Sequence, residues 1–351
     1  MTLKLDAMLA GATGLLAVVM AGAAVAKDAV RVAEGPYISA GGLYIAQDKG
    51  YFDKVDISVT IKPFSDATLA MPALIANELD IAFQGAAASL FNSVAKGAPL
   101  VIFLDRGNNR PGRAYTSAVV TEMLYAEGLH GFADFGRLKG RKIGVSGVGS
   151  INQYTLGLAL AKAGLHPAHD VQWVVNVAQP DLMKMLGQQQ IDAMGAAYNI
   201  AVFAQNSKWG RIIGTDDELA PNGQVGVYVV DKNYLAAHRG VVVRWTMAYL
   251  QGVKDFNAAA GDPDNHADVL QILAKNTAIN KPELLKAIAP HWSYVSEDGE
   301  PNVQSIMEMQ DFWSSPAFPY VARKVSAEAL VDRSIAAEAK ARLDRDKPFG
   351  P

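Results

Sequence analysis

The sequence predicts an α/β protein of two lobes, each a mostly parallel sheet flanked by helices, with a cleft between them. Three observations carry this. The chain has 351 residues, half of them apolar, which is more than one compact core uses. One α/β unit occurs twice in degenerate form. Around and after the two copies, β-rich runs alternate with helical patterns, as parallel sheets require.

The first element is a segment for export. Lys4 lies near the start, no charge occurs from Ala7 to Ala26, and the segment ends Ala24-Val25-Ala26 before Lys27. A basic start, an apolar centre and an Ala-x-Ala end predict a signal peptide over residues 1–26, cleaved after Ala26. A retained membrane anchor is the alternative, but only Leu15 to Met20 is strongly apolar. The composition has no cysteine. That excludes disulfides, thiolate metal sites, a cysteine nucleophile and lipidation on cysteine. The expectation is a periplasmic protein, not lipid-anchored and not inserted in the membrane after cleavage.

The repeated unit comes next. In the first copy Gly50 is followed by Asp56, Asp66 and Asp80; in the second, Gly164 is followed by Asp170, Asp181 and Asp192. The first interval is the same in both copies. Each glycine is placed to end a helix in the left-handed conformation. Alternating runs follow, Ile57-Val59-Ile61 and Val171-Trp173-Val175, then a turn and a helix. Pro180 suits a helix start, whereas Pro72 predicts a kink or a late start in the first copy. Short buried strands close both copies at 79–83 and 191–194.

The rest of the chain joins these units. The β-rich runs 116–121 and 226–230 are expected to carry the chain across to lobe two and back, as a two-strand hinge. That assigns 27–117 and 226–351 to lobe one and 118–225 to lobe two. Arg106 to Arg113 (RGNNRPGR) reads as a polar turn. Helices are expected near 235–260, 264–276, 282–289, 302–314 and 326–345.

Charge and motifs narrow the function. A net charge of −3 gives no basic footprint for nucleic acid. No G-x-S-x-G elbow, P-loop, full G-x-G-x-x-G or H-E-x-x-H occurs. His166 and His169 form an H-x-x-H pair with no further histidine cluster beside them, so no metal is expected, and no cofactor.

In open α/β sheets a ligand sits beyond the carboxyl ends of the strands. The loops there supply the candidate ligand-binding residues Tyr37, Ser39, Gly41, Phe64, Ser65, Asp66, Gln84, Gly85 and Ala86. The second lobe adds Gly147, Gly149, Ser150, Asn152, Tyr198 and Asn199. Small residues allow close approach to backbone N–H groups, although a glycine can equally serve the turn alone. Ser150 and Gln153 fit a capping box, which predicts a helix start and an anion site near Ser150. Tyr37, Phe64 and Tyr198 are placed to sandwich a planar ligand or to line the core. Arg106, Arg110 and Arg113 either bring positive charge to the cleft or are solvated loop arginines.

The strings GLYIAQDKGYF (42–52), ALIANELDIA (73–82), LKGRKIGV (138–145) and LAKAGLHPAHDV (160–171) resemble periplasmic substrate-binding proteins of ABC importers. The branch they resemble is that of the alkanesulfonate, taurine, nitrate and thiamine-precursor binding proteins. The resemblance implies a type II periplasmic-binding fold that closes on one small organic molecule and delivers it to a membrane permease, as a monomer and without catalysis. It places the ligand loops at 39–42, 64–66, 84–87, 147–152 and 198–199. Many members have an acidic residue and a proline after the I-D-A run, where this chain has Ala197-Tyr198-Asn199. The first ligand expectation is an organic anion, such as an aromatic carboxylate or a sulfonate, with its acid group at Gly147–Ser150. The alternative is a nitrogen heterocycle, such as a pyrimidine precursor of thiamine, held by Asp66, Gln84 and Asn199. Two other classes share the fold: pyrimidine synthases, which use a cysteine-rich segment absent here, and sensory ligand-binding modules.

Overall fold

The computed structural model describes residues 26–64 and 67–350. The expected signal segment, apart from Ala26, lies outside them, as do Ser65 and Asp66. The first half-unit runs β1 (Asp28–Glu34), α1 (Gly41–Asp48), β2 (Ile57–Pro63), α2 (Ala67–Ile75), β3 (Ile81–Gly85), α3 (Ala88–Ala95) and β4 (Leu100–Asn108). The chain then forms β5 (Thr116–Val120), α4 (Glu122–Ala126), β6 (Lys142–Gly144), α5 (Ile151–Lys162), β7 (Gln172–Val174), α6 (Gln179–Gly187), β8 (Ala193–Ala197), α7 (Tyr198–Asn206) and β9 (Arg211–Thr215). After β10 (Gln224–Asp231) it is helical: α8 (Lys232–Gly261), α9 (Ala267–Asn276), α10 (Pro282–Ala287), α11 (Val303–Trp313), α12 (Ala327–Leu330) and α13 (Ser334–Asp346).

The strands form two five-stranded sheets, ordered β2-β1-β3-β10-β4 and β7-β6-β8-β5-β9. The two orders correspond strand for strand. In each, the repeat supplies three parallel strands, and one antiparallel strand, β10 or β5, separates them from the last.

The repeated residues do the same work in both sheets. Gly50 and Gly164 follow α1 and α5 with φ +69° and +78°, a conformation glycine adopts without steric cost. Asp56 O and Asp170 O accept the N–H groups of Asp28 and Gly140, at 3.0 and 2.6 Å. The Asp80 carboxylate takes the Arg31 N–H at 2.7 Å, and the Asp192 carboxylate takes the Lys142 N–H at 2.9 Å. Each aspartate thus pins the closing strand of its unit to the first strand. Pro72 lies inside α2 without ending it.

The crossings differ from expectation. The runs 116–120 and 224–231 are strands within the sheets, so the expected boundaries at 117 and 226 fall inside β5 and β10. The chain passes between sheets in 109–115 and 216–223. These two segments bind each other: Asn109 N–H donates to Gly223 O at 2.9 Å, and Asp216 Oδ1 accepts from Tyr115 and Thr116 N–H at 3.0 and 3.1 Å. The polar turn also begins later than expected. The apolar run Leu100–Leu104 extends as β4 through Arg106 to Asn108, every residue of it buried.

The C-terminal helices complete lobe one. The long helix α8 bends at His238 and lies along α1, where a Cβ on Gly252 would stand 2.1 Å from Gly42 O. Trp245 on α8 stacks on Tyr249 at 5.5 Å and meets the edge of Tyr228 at 5.3 Å, filling the core beneath the first sheet. The two lobes also touch away from the crossings. Tyr154 of α5 packs on Phe312 at 4.9 Å, and Gly157 leaves room for Phe312 and Phe318. Among the described residues no helix is long and apolar enough to cross a membrane.

Candidate functional site

The cleft lies beyond the carboxyl ends of β1, β3, β4, β6 and β8, where the fold leaves loops and helix starts rather than packed side chains. It has two connected compartments. The inner one is a cavity of about 110 Å³ whose wall includes Phe83, Gln84, Arg106, Tyr115, Ser150 and Asn152. The outer one, about 530 Å³, is walled by Pro36, Leu69, Asn176, Pro180, Asn199 and Ile200. Tyr37, Thr68, Ser146 and Gln179 border both.

Five helices begin at the inner wall. Ala67 of α2, Ala87 before α3, Ser150 before α5, Gln179 of α6 and Ala197 before α7 all line it. A helix start carries partial positive charge, although Gly149 O and Tyr115 O already take the first N–H groups of α3 and α7, from Ala88 and Tyr198. The start of α5 is fixed as the sequence predicts, with Ser150 Oγ accepting the Gln153 N–H at 3.3 Å. The reciprocal bond of the capping box is displaced by one residue, because Gln153 Oε1 takes the Gly149 N–H at 2.7 Å. No aspartate or glutamate is among the described residues that line either compartment.

Arg106 reaches the cleft, the first of its two expected alternatives, though not from the expected turn. It is 1% exposed and sits on β4 rather than in a solvated turn. Its Nε and Nη2 donate to the two oxygens of Glu34 at 2.8 and 2.5 Å. Nη1 reaches Ser39 Oγ at 3.2 Å and Tyr115 OH at 3.1 Å, and the guanidinium lies 4.9 Å from the Phe83 ring centre. Burial alone lowers the pKa of such a group. The Glu34 carboxylate outweighs it and holds Arg106 well above its ordinary value. Glu34 also accepts from Tyr228 OH at 2.6 Å and Gly35 N–H at 2.7 Å. The apolar run before Arg106, following Pro99, was the available sign of a buried strand. Arg110 instead bonds Asn222 and lies over Tyr294, and neither it nor Arg113 lines the two compartments.

The other expected residues divide. Tyr37, Gln84, Gly85, Gly147, Ser150 and Asn152 line the inner cavity, and Asn199 lines the outer. Asn152 Oδ1 is buried and has no partner among the described residues, and the amide has both a donor and an acceptor end. Gln84 Nε2 is already committed to Ala67 O at 2.7 Å. Ser39 acts one step back, through Arg106.

Besides Ser39, five described expected residues line neither compartment. A Cβ on Gly41 would stand 2.3 Å from Phe256, so that glycine serves helix packing. Phe64 is half-buried against the lobe-one core, and Ala86 is buried behind Ala87, which lines the cavity in its place. Gly149, at φ +68°, instead carries a contact between lobes: its carbonyl accepts the Ala88 N–H at 3.2 Å. Tyr198 stacks on His291 at 4.8 Å and borders a side cavity of about 20 Å³. His166 and His169 stack on each other, and among the described residues no metal-binding group of histidine and carboxylate is formed.

The paired sheets and the cleft between them define a two-lobed periplasmic-binding-protein fold of the α/β class. The chain belongs to the NMT1/THI5-like family, whose model matches residues 38–266. A protein of Brucella abortus (strain 2308) described as a binding protein is 26% identical over 241 residues, 68% of each chain. Among solved structures, the alkanesulfonate-binding protein of Xanthomonas axonopodis pv. citri bound to MOPS is similar, at 19% identity and a TM-score of 0.67, covering 88% of this chain and 100% of that one. The zinc-bound ligand-binding component of an ABC-type import system from Staphylococcus aureus is also similar, at 13% identity and a TM-score of 0.71, covering 89% and 99%. At these identities the likeness to the two structures is one of fold.

Proposed function

We propose that this protein is the soluble, non-enzymatic substrate-binding component of an ABC-type uptake system. It acts in the periplasm as a monomer and closes its lobes about the segments 109–115 and 216–223. The ligand is a small organic anion, delivered to the membrane permease. One observation carries the choice of ligand: five helix starts converge on a cavity with Arg106 in its wall and no described carboxylate. Asn152 lines the same cavity, and its amide NH2 can donate to an acid group there. Such an array stabilises negative charge without a metal ion. At about 110 Å³ the inner cavity suits an acid group, while the outer compartment of about 530 Å³ suits a larger apolar body. The heterocycle reading has less support, because Gln84 borders the inner compartment and Asn199 the outer.

The test is a thermal-shift screen of residues 27–351 against sulfonates, aromatic carboxylates, nitrate, pyrimidines, amines and divalent metals. A ligand at a hundred times its dissociation constant stabilises by about 2.7 kcal/mol. The expected result is a raised Tm with one or more organic anions. A shift with amines or metals alone overturns the anion reading.

A further inference from the structure

Arg106 is the one charged side chain among the described residues lining the inner cavity, and its charge does not act there alone. Glu34, fully buried, holds it through two hydrogen bonds and is itself fixed by Tyr228 OH and Gly35 N–H. We propose that Glu34 is a specificity-determining residue that sets ligand charge: by cancelling Arg106 it restricts the cavity to singly charged anions and disfavours dianions. This rests on the anion reading above.

The reason lies in how two energies scale. Desolvating an ion costs energy in proportion to the square of its charge, so a dianion loses about four times what a monoanion of the same size loses. Attraction to helix starts and other fixed dipoles grows only in proportion to charge. A full counter-charge in the wall would close the gap, and Glu34 removes it. The buried pair still supplies a polar, positively oriented surface, which a monoanion can use. Glu34 does not line the cavity itself, so it acts through Arg106.

The experiment compares isosteric probes of different charge: methanesulfonate and benzenesulfonate against methylphosphonate and benzenephosphonate, by calorimetric titration at pH 9.5 and pH 5.5. The sulfonates keep one charge throughout, whereas the phosphonates go from mostly two charges to one. Tyr44, Tyr228 and Tyr249, packed about the pair, are pushed upward by burial and keep their protons over this range. The expected result for the native chain is that phosphonates bind at least about tenfold more weakly than sulfonates at pH 9.5, and that the gap closes at pH 5.5. In Glu34→Gln the gap at pH 9.5 narrows by at least about tenfold, because an extra unit charge a few ångströms away, at an effective dielectric near 20, outweighs one factor of ten. Should Glu34→Gln fail to fold, the pair variant Glu34→Gln/Arg106→Gln, neutral as the native pair is, should keep the gap, and its loss there overturns the proposal. Equal binding of the two probe types at pH 9.5, or an unchanged ratio in a folded Glu34→Gln, overturns the proposal and leaves the anion reading standing. No binding of either type by the native chain overturns both.

Discussion

Replacing Gly149 with alanine should weaken ligand binding by hindering the approach of the two lobes. Gly149 stands at φ +68°, and a Cβ there would lie 2.5 Å from Ala88 Cβ on the opposite lobe. Non-bonded carbons settle at about 3.5–4.0 Å, so the loop and α3 must separate by roughly 1 Å or more. That separation stretches the Ala88 N–H bond to Gly149 O, now 3.2 Å, which is worth about 0.5–1.5 kcal/mol. Packing around the bond loosens with it, so closure costs about 1–2 kcal/mol more, equal to a roughly 5- to 30-fold rise in Kd. A second cost, about 1–2 kcal/mol for alanine in the left-handed region, acts whether or not the lobes meet. Gly164→Ala separates the two, because Gly164 has φ +78° and nothing within 4 Å of its would-be Cβ. Calorimetry should find weaker binding in Gly149→Ala alone, while both variants lose Tm without ligand. Small-angle scattering should show less ligand-induced contraction for Gly149→Ala. Native-like affinity in Gly149→Ala would falsify the view that this contact helps hold the lobes together.

Two further outcomes concern the crossings and the core. Burial pushes the Asp216 carboxyl up to about 7, although it accepts backbone N–H groups from Tyr115 and Thr116. An unfolded aspartate titrates near 3.9, so the folded state holds the extra proton between about pH 4 and 7. Stability therefore falls as pH rises through that window, by about 1.4 kcal/mol for each pH unit. Asp216→Asn keeps the accepting oxygen and removes the titration. Its Tm should exceed that of the native chain at pH 8 and match it near pH 4; an advantage that shrinks as pH rises contradicts the assignment. In the core, Gly252→Ala sets a methyl against Gly42 backbone at 2.1 Å, which only a shift of α1 from α8 can relieve. Urea unfolding should show a loss of about 1–3 kcal/mol or more, and a loss under about 0.5 kcal/mol would mean that the helices are not locked there.

Local patterns were legible where the deciding contacts are close in the chain. Gly50 and Gly164 announce helix ends because only one backbone conformation is needed there. Ser150 and Gln153 announce the α5 start because their partners lie within one turn. The repeated aspartates pointed to two equivalent units, and Asp80 and Asp192 do occupy equivalent bonds. The loops at Gln84, Gly147 and Asn152 were found for a topological reason, since they follow parallel strands. Gly41 shows the limit of that rule, because it follows a strand too and yet faces Phe256, more than two hundred residues away in sequence.

The sequence by itself determined the two α/β units, their parallel strands and the helix starts that face the cleft. These rest on periodicity, glycine and capping, which act within a few residues. The tertiary structure decided the charge of the site. Arg106 sits at the start of a stretch rich in turn residues, and the apolar run before it hints at a strand but names no partner. Only when the first sheet brings β4 within reach of β1 does Glu34, 72 positions away, meet it and bury both charges. The lobe contact at Gly149 has the same origin, since a left-handed glycine is a local fact and Ala88 beneath it is not.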